Sequence, residues 1–193
     1  FFRKKKILNN GFSIPINSSV ILAPTHRSRW DGLVITMAMG RRVTNKDCRF
    51  MVTKSEMRGI QGWFLKRLGC FSINQLSPSL SVLRYAIDLI AKGEQLVVFP
   101  EGKINKNGKK LILKEGLYRL SRLARKKTES ILIVPIGIAY SKVSPNFRSE
   151  FCLSLGKPIE MNNYLDLNIN EFNKFLSAKM IKEEKNALKN VGR

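Results

Sequence analysis

The chain has few acidic residues, a single histidine, three cysteines and no long apolar segment, and these scarcities exclude several classes of protein. Cys48, Cys70 and Cys152 are odd in number and widely spaced, which argues against a disulfide framework and a paired-cysteine zinc site. We expect three thiols in a reducing compartment and no metal site. No apolar run approaches the ~20 residues that a membrane span needs, and no signal peptide is visible.

Basic residues are in large excess, with 35 Lys and Arg against 14 Asp and Glu, which gives a net charge of +21. This excess indicates a polyanionic partner, for which nucleic acid, anionic lipid headgroups and an acidic carrier protein all qualify. Basic clusters lie at Arg3–Lys6, at Arg41–Arg42 and around Arg125–Lys127. No motif that reads nucleic acid accompanies them, so a nucleic-acid-binding module is kept only as the rival class. The favoured partner is an anionic membrane surface, on the cytoplasmic face and bound peripherally.

The length of 193 residues suits one domain with its own core, so residues 1–193 are predicted to form a single domain. The chain opens without methionine, which leaves open a trimmed N-terminus that held a membrane anchor. The segment 170–193 is predicted to contain an amphipathic C-terminal helix. We favour packing of this helix on its own domain over binding to a membrane surface. Its apolar positions are Phe172, Phe175, Leu176, Met180 and Ile181.

Short apolar runs alternate with segments of helical spacing, which predicts an α/β fold with a largely parallel or mixed sheet flanked by helices. In such sheets ligands bind beyond the carboxyl ends of the strands. The predicted strands are Val20–Ala23, Arg49–Val52, Cys70–Ile73, Gln95–Phe99, Ile131–Ile138 and Phe151–Leu155. The predicted helices are Trp30–Met39, Leu80–Ala91, Leu113–Ala124 and Asn170–Asn190.

The histidine, His26, lies five residues before Asp31, at the end of the first of these predicted strands. The two side chains can meet if His26 lies on the loop and Asp31 in the first turn of the following helix. The carboxylate would then orient the imidazole, and the other ring nitrogen could take a proton from a substrate hydroxyl. The competing interpretation is that Ser28 to Asp31 form a capping box, which would give Asp31 only a role in helix initiation.

A second candidate is the turn Pro100-Glu101-Gly102, which follows the predicted strand Gln95–Phe99. It places a carboxylate at the sheet edge where ligands bind. The glycine allows close backbone approach and positive φ. The alternative is an ordinary turn with a solvated glutamate.

Together these blocks resemble the 1-acylglycerol-3-phosphate acyltransferase family. The resemblance rests on His26 and Asp31 as an H-x4-D motif, then Phe99–Gly102, then Val134–Ile136 in an apolar strand. It runs from about Val20 to Ile159. Smaller matches are Lys54, Gly69–Ile73, Lys114–Gly116 and Gly156–Ile159.

The resemblance implies an O-acyltransferase of phospholipid biosynthesis that needs no metal or organic cofactor. His26 would deprotonate the acceptor hydroxyl, which attacks an acyl thioester of coenzyme A or acyl carrier protein, while Asp31 orients His26. Glu101 and Gly102 would shape the acceptor site. The acceptor is expected to be a lysolipid, with 1-acylglycerol 3-phosphate as the first candidate.

Two motifs depart from the family pattern. Ile73-Asn74-Gln75 stands where the family usually has Ile-Asp-Arg, and Lys103-Ile104 stands where it commonly has Thr-Arg. The family associates both arginines with the acceptor phosphate, which arginine binds bidentately. Gln75, Lys54 and Lys103 are therefore the candidate headgroup-binding residues, the lysines as point charges. Another lysolipid or a glycolipid acceptor stays open as the alternative.

Overall fold

The computed structural model describes residues 2–9, 11, 13–15, 18–74, 77–106 and 110–193. The strands are β1 (Lys5–Asn9), β2 (Ser19–Pro24), β3 (Cys48–Thr53), β4 (Cys70–Ile73), β5 (Gln95–Val97), β6 (Ile131–Tyr140), β7 (Phe151–Leu155) and β8 (Ile159–Glu160). The helices are α1 (Asp31–Met39), α2 (Arg41–Thr44), α3 (Gly59–Arg67), α4 (Leu80–Ala91), α5 (Gly116–Ala124) and α6 (Ile169–Asn190). Short 3₁₀ helices span Lys54–Met57 and Met161–Tyr164.

The strands form one mixed sheet in the order β1-β7-β6-β2-β5-β3-β4, with β8 paired to β6. Strands β4, β3, β5, β2 and β6 run parallel to one another. Strands β7 and β8 are antiparallel to β6, and β1 is parallel to β7. The predicted fold class, a largely parallel or mixed α/β sheet, is confirmed.

Helices cover both faces of the sheet because the central strands alternate their buried side chains between two cores. In β2, Val20 and Leu22 join the core beneath α1, whereas Ile21 and Ala23 join the core beneath α4, α5 and α6. All six residues of β2 are buried. The strand that precedes His26 is therefore held by packing on both sides.

Among the predicted boundaries that differ from the structure, two have clear local reasons. Strand β5 ends at Val97 rather than Phe99, because the chain turns there and the Gly102 N–H donates to the Phe99 carbonyl over 3.0 Å. Helix α5 begins at Gly116 rather than Leu113, because the Lys114 N–H donates to the Pro100 carbonyl over 2.7 Å. Strand β1 and helix α3 had no counterpart among the predicted elements.

Helix α6 packs on the sheet through a stripe of buried residues, which agrees with the favoured interpretation of this segment. One of the predicted apolar positions, Ile181, is exposed, and Glu183 and Ala187 continue the buried stripe in its place. Asn168 caps the helix in a capping box with Glu171. Among the described residues, no helix is long and apolar enough to cross a bilayer.

Candidate active site

The candidate residues gather at one edge of the sheet because five parallel strands end there. His26 follows β2, Lys54 follows β3 and Glu101 follows β5. This is the edge where open α/β sheets bind their ligands. Gln75, predicted to bind the acceptor headgroup after β4, lies outside the described residues.

His26 and Asp31 form a hydrogen-bonded pair. His26 lies on the loop that leaves β2, Asp31 is the first residue of α1, and Nδ1 lies 2.9 Å from Oδ2. Since a carboxylate only accepts, Nδ1 carries the hydrogen and Nε2 is left as the basic nitrogen. The His26 side chain is 20% exposed, whereas that of Asp31 is fully buried. The ring also stacks on Phe99, with the ring centroids 4.1 Å apart.

Asp31 is itself fixed by three further donors. The backbone N–H groups of Arg27 and Ser28 donate to Oδ2 over 2.6 and 2.9 Å. The Tyr140 hydroxyl donates to Oδ1 over 2.6 Å. Burial, followed by the neighbouring Asp31 carboxylate, raises the pKa of Tyr140 well above its ordinary value, which keeps this hydroxyl protonated as a donor.

The competing capping-box interpretation is only half correct. The Ser28 N–H donates to the Asp31 carboxylate, as in a capping box, but the Ser28 hydroxyl accepts from the Trp30 N–H over 3.3 Å. Trp30 is the N-cap residue of α1, and no side chain caps it. Asp31 therefore organises the turn before α1 and binds the imidazole at the same time.

Glu101 faces inward and holds the loop that carries His26. Its Oε1 accepts the His26 N–H over 2.8 Å. Its Oε2 accepts from the Asn105 side chain over 2.9 Å. The Arg27 guanidinium donates to both oxygens, at 2.8 and 3.1 Å. The predicted turn carboxylate is thus a buried ion-pair partner rather than a solvated group, and its part in the acceptor site remains a prediction.

Arg27 is clamped between two carboxylates. Glu184 of α6 accepts from Nε and, over 2.8 Å, from Nη2, while Glu101 accepts from Nη1. Burial alone would lower the pKa of Arg27, but the hydrogen bonds and charges of Glu184 and Glu101 outweigh it and the net pKa is raised. An added Cβ at Gly137 of β6 would lie 2.1 Å from the Glu184 backbone nitrogen. Glycine at 137 therefore lets α6 approach closely enough to reach Arg27.

The remaining predicted residues lie on the rim of this edge. Gly102 adopts φ +68°, the left-handed turn conformation that its glycine identity allows. Lys54 begins the 3₁₀ helix after β3, and both Lys54 and Lys103 are exposed. The structure therefore joins His26, Asp31 and Glu101 in one hydrogen-bond network. Lys54 and Lys103 are exposed and are not part of this network.

Arg27, Tyr140 and Glu184 complete the network and had no predicted role. Tyr140 is 109 positions from Asp31, and Glu184 is 157 positions from Arg27, so local spacing carried no signal for either contact. Of these three residues, Arg27 alone has a position in the sequence that suggests a role, because it directly follows the only histidine.

The three thiols do not offer an alternative nucleophile. Burial raises the pKa of Cys48 to about 12 and the pKa values of Cys70 and Cys152 to about 11. Thiolates are therefore scarce at neutral pH. An imidazole oriented in this way can take a proton from a hydroxyl, and the role of His26 as that base remains a prediction.

A model of the acyltransferase family matches residues 5–139, most of the chain, and the chain belongs to this family. It is 24% identical over 156 residues to a 1-acyl-sn-glycerol-3-phosphate acyltransferase of Streptococcus pneumoniae (strain ATCC BAA-255 / R6). That match covers 79% of this chain and 54% of the relative, so the chain spans about half the relative's length. The resemblance found in the sequence is confirmed.

The fold is also that of a solved acyltransferase structure. The crystal structure of the 1-acyl-sn-glycerophosphate (LPA) acyltransferase, PlsC, from Thermotoga maritima superposes with a TM-score of 0.67. The alignment covers 94% of this chain and 71% of that chain, at 17% sequence identity. At this identity the likeness concerns the architecture.

Proposed function

We propose that the protein transfers a fatty acyl group from an acyl thioester to the hydroxyl of a lysolipid, in phospholipid biosynthesis. The observation that carries the proposal is the His26–Asp31 pair, joined over 2.9 Å at the ligand-binding edge of an acyltransferase-family fold. The donor is an acyl chain on coenzyme A or on acyl carrier protein. The basic surface, at a net charge of +21, suits the phosphates of either.

In the proposed reaction, Nε2 of His26 takes the proton of the acceptor hydroxyl as its oxygen attacks the thioester carbonyl. A carbon–oxygen bond forms, and the carbonyl becomes a tetrahedral oxyanion that needs hydrogen-bond donors. The oxyanion collapses, the carbon–sulfur bond breaks, and the thiolate leaves with the proton that His26 had taken. The products are the acylated lipid and a free thiol, with no change in oxidation state.

Asp31 supports this step by holding one tautomer of His26 and by stabilising the imidazolium that forms. Glu101 supports it through the backbone, since its carboxylate accepts the His26 N–H. We infer that Glu101 shapes the acceptor site by fixing this loop, because its two oxygens already accept four hydrogen bonds from protein groups. Gly102 gives the turn its left-handed residue.

For the acceptor we propose 1-acylglycerol 3-phosphate, as in the name of the pneumococcal relative. Lys54 and Lys103 are exposed on the rim of the site and would attract the phosphate as point charges. Gln75 occupies a position where the family usually carries arginine. A lysolipid with another headgroup, or a glycolipid, is therefore the alternative acceptor.

We further propose that the protein works peripherally on the cytoplasmic face of a membrane, where a lysolipid acceptor is embedded. Anionic headgroups attract Lys and Arg near the surface at ~1 kcal/mol per residue. The charge of the chain has the matching sign.

The test is a product assay by mass spectrometry. Purified protein is incubated with an acyl-coenzyme A or acyl carrier protein and a panel of lysolipids that includes lysophosphatidate, and His26→Ala protein serves as the blank. The proposal expects a diacyl product with at least one acceptor, absent from the blank. Thioester hydrolysis alone, with no acylated lipid from any acceptor, would contradict it.

A further inference from the structure

Helix α3 presents large apolar side chains to solvent. Ile60 is 88% exposed, Trp63 57% and Phe64 56%. Their spacing of three and four residues places them on one side of the helix. The opposite side carries Gly62, which is buried against the preceding 3₁₀ helix, since an added Cβ there would lie 2.1 Å from the Met57 carbonyl oxygen. Helix α3 also contacts strand β4. A contiguous apolar surface of this kind commonly marks an interaction site.

Cations surround this apolar surface. Arg58, Lys66 and Arg67 are exposed, and the Arg67 guanidinium lies over the Trp63 ring at 3.8 Å from its centroid. The acidic residue in this stretch is Glu56, which accepts from the Gln61 side chain. Aromatic and aliphatic groups flanked by Lys and Arg are the composition of helices that lie in a membrane interface.

The position of α3 relates this surface to the site. Strand β3 is parallel to β5 and β5 is parallel to β2, so all three end at the edge that carries His26. The 3₁₀ helix Lys54–Met57 leaves β3 at that edge, and α3 follows after Arg58. Ile60, in the first turn of α3, is therefore at the end of the helix nearest to the site.

We propose that the α3 surface, formed by Ile60, Trp63, Phe64 and Arg67, inserts into the headgroup region of an anionic bilayer and positions the site at the membrane. The inference rests on the proposed function, because it supplies the route by which a membrane-embedded lysolipid reaches His26. A second copy of the chain fits this surface less well. A symmetric contact would place Lys66 and Arg67 of one copy against the same cations of the other, and like charges repel.

The first experiment locates insertion. Because the chain has two tryptophans, Trp30→Phe leaves Trp63 as the reporter. Vesicles of phosphatidylcholine with phosphatidylglycerol should shift the Trp63 emission to shorter wavelength, and brominated lipids should quench it. Vesicles of phosphatidylcholine alone should do so weakly. An emission spectrum that anionic vesicles leave unchanged would overturn the proposal.

The second experiment measures affinity by vesicle sedimentation. Trp63→Ser with Phe64→Ser should weaken binding to the anionic vesicles by roughly tenfold or more, because the apolar contact is lost. The matched control is Val43→Ser, since Val43 is 61% exposed but lies before β3, at the opposite edge of the sheet. The control should bind as the parent does. Equal binding by all three proteins, or a parent dimer that the double variant dissolves, would overturn the assignment.

The third experiment separates this inference from the proposed function. On a short-chain lysolipid that is monomeric in water, the double variant should keep the parent's turnover, while its turnover on vesicle-embedded acceptor falls. Parallel losses on both acceptors would show that α3 supports the fold or the site rather than the membrane contact. If Trp63 inserts into the vesicles but the parent acylates no lysolipid, the result would support the α3 assignment and contradict only the proposed function.

Discussion

Replacing Glu184 by alanine should weaken both the fold and the proposed catalysis, because Glu184 holds the buried Arg27 guanidinium from α6. Removing one partner of a buried ion pair typically costs ~3–5 kcal/mol. Arg27 keeps its two bonds to Glu101 in this variant, so we expect the lower end, about 3 kcal/mol. In a domain of this size, 1 kcal/mol corresponds to ~2–4 °C, which predicts a Tm lower by roughly 6–12 °C.

Glu184→Ala should also slow acyl transfer, because the Arg27 guanidinium that Glu184 holds donates to Glu101, and Glu101 accepts the His26 N–H over 2.8 Å. A looser Arg27 lets this loop move, and displacement of the base lowers kcat more than it raises KM. We expect kcat to fall about tenfold, equivalent to ~1.4 kcal/mol. Glu184→Gln keeps an acceptor for Arg27 and should lose less than Glu184→Ala in both measurements.

The assay pairs thermal unfolding with steady-state acyl transfer, measured at a temperature where every variant is folded. The control is Asp88→Ala, which removes the exposed Lys127–Asp88 ion pair. Exposed pairs contribute little to stability, so this variant should match the parent. If Glu184→Ala unfolds within about 2 °C of the parent and retains its kcat, the clamp has no energetic role and the reasoning is refuted.

Three further predictions concern the network, the thiols and the acceptor. Tyr140→Phe removes a hydrogen bond to the Asp31 carboxylate and should lower the free energy of unfolding by ~1.5–3 kcal/mol in urea titrations; an unchanged value would contradict the contact. With its pKa raised to about 12, Cys48 should resist iodoacetamide at pH 7 and react faster as pH rises, and rapid neutral labelling in a mass spectrum would count against its burial. Gln75→Arg with Ile104→Arg should raise kcat/KM for lysophosphatidate roughly tenfold over neutral lysolipids, and no selective gain would place the phosphate elsewhere.

Much of the fold followed from local patterns. The stripe of Leu80–Ala91 predicted α4 at its observed bounds, and the apolar runs predicted the central strands. Strand β1 was not predicted because it is largely exposed and because Lys5 and Lys6 gave it no apolar pattern, only positive charge. Helix α3 was not predicted because Gly59 and Gly62 lower the helix propensity of the segment. Gly62 packs against the Met57 backbone five residues earlier, and the spacing of apolar residues that predicts helices does not report this backbone contact.

In the candidate site, too, some contacts could be predicted from the sequence and others could not. His26 and Asp31 are five positions apart, so a strand followed by a helix was enough to predict that they meet. The contacts of Arg27 with Glu184 and of Asp31 with Tyr140 depend on the order of the strands and on where α6 packs. These are properties of the assembled sheet, and the sequence contains no local period that reports them.

The most direct test of the account is the turnover of His26→Ala. A general base typically contributes ~10²–10⁴ in rate, so kcat/KM for the preferred lysolipid should fall by that factor. The Tm should stay near the parent's, because Asp31 retains the donors from Arg27, Ser28 and Tyr140. A folded His26→Ala protein that keeps more than about a tenth of the parent's kcat/KM would contradict the proposed role of His26 as the base.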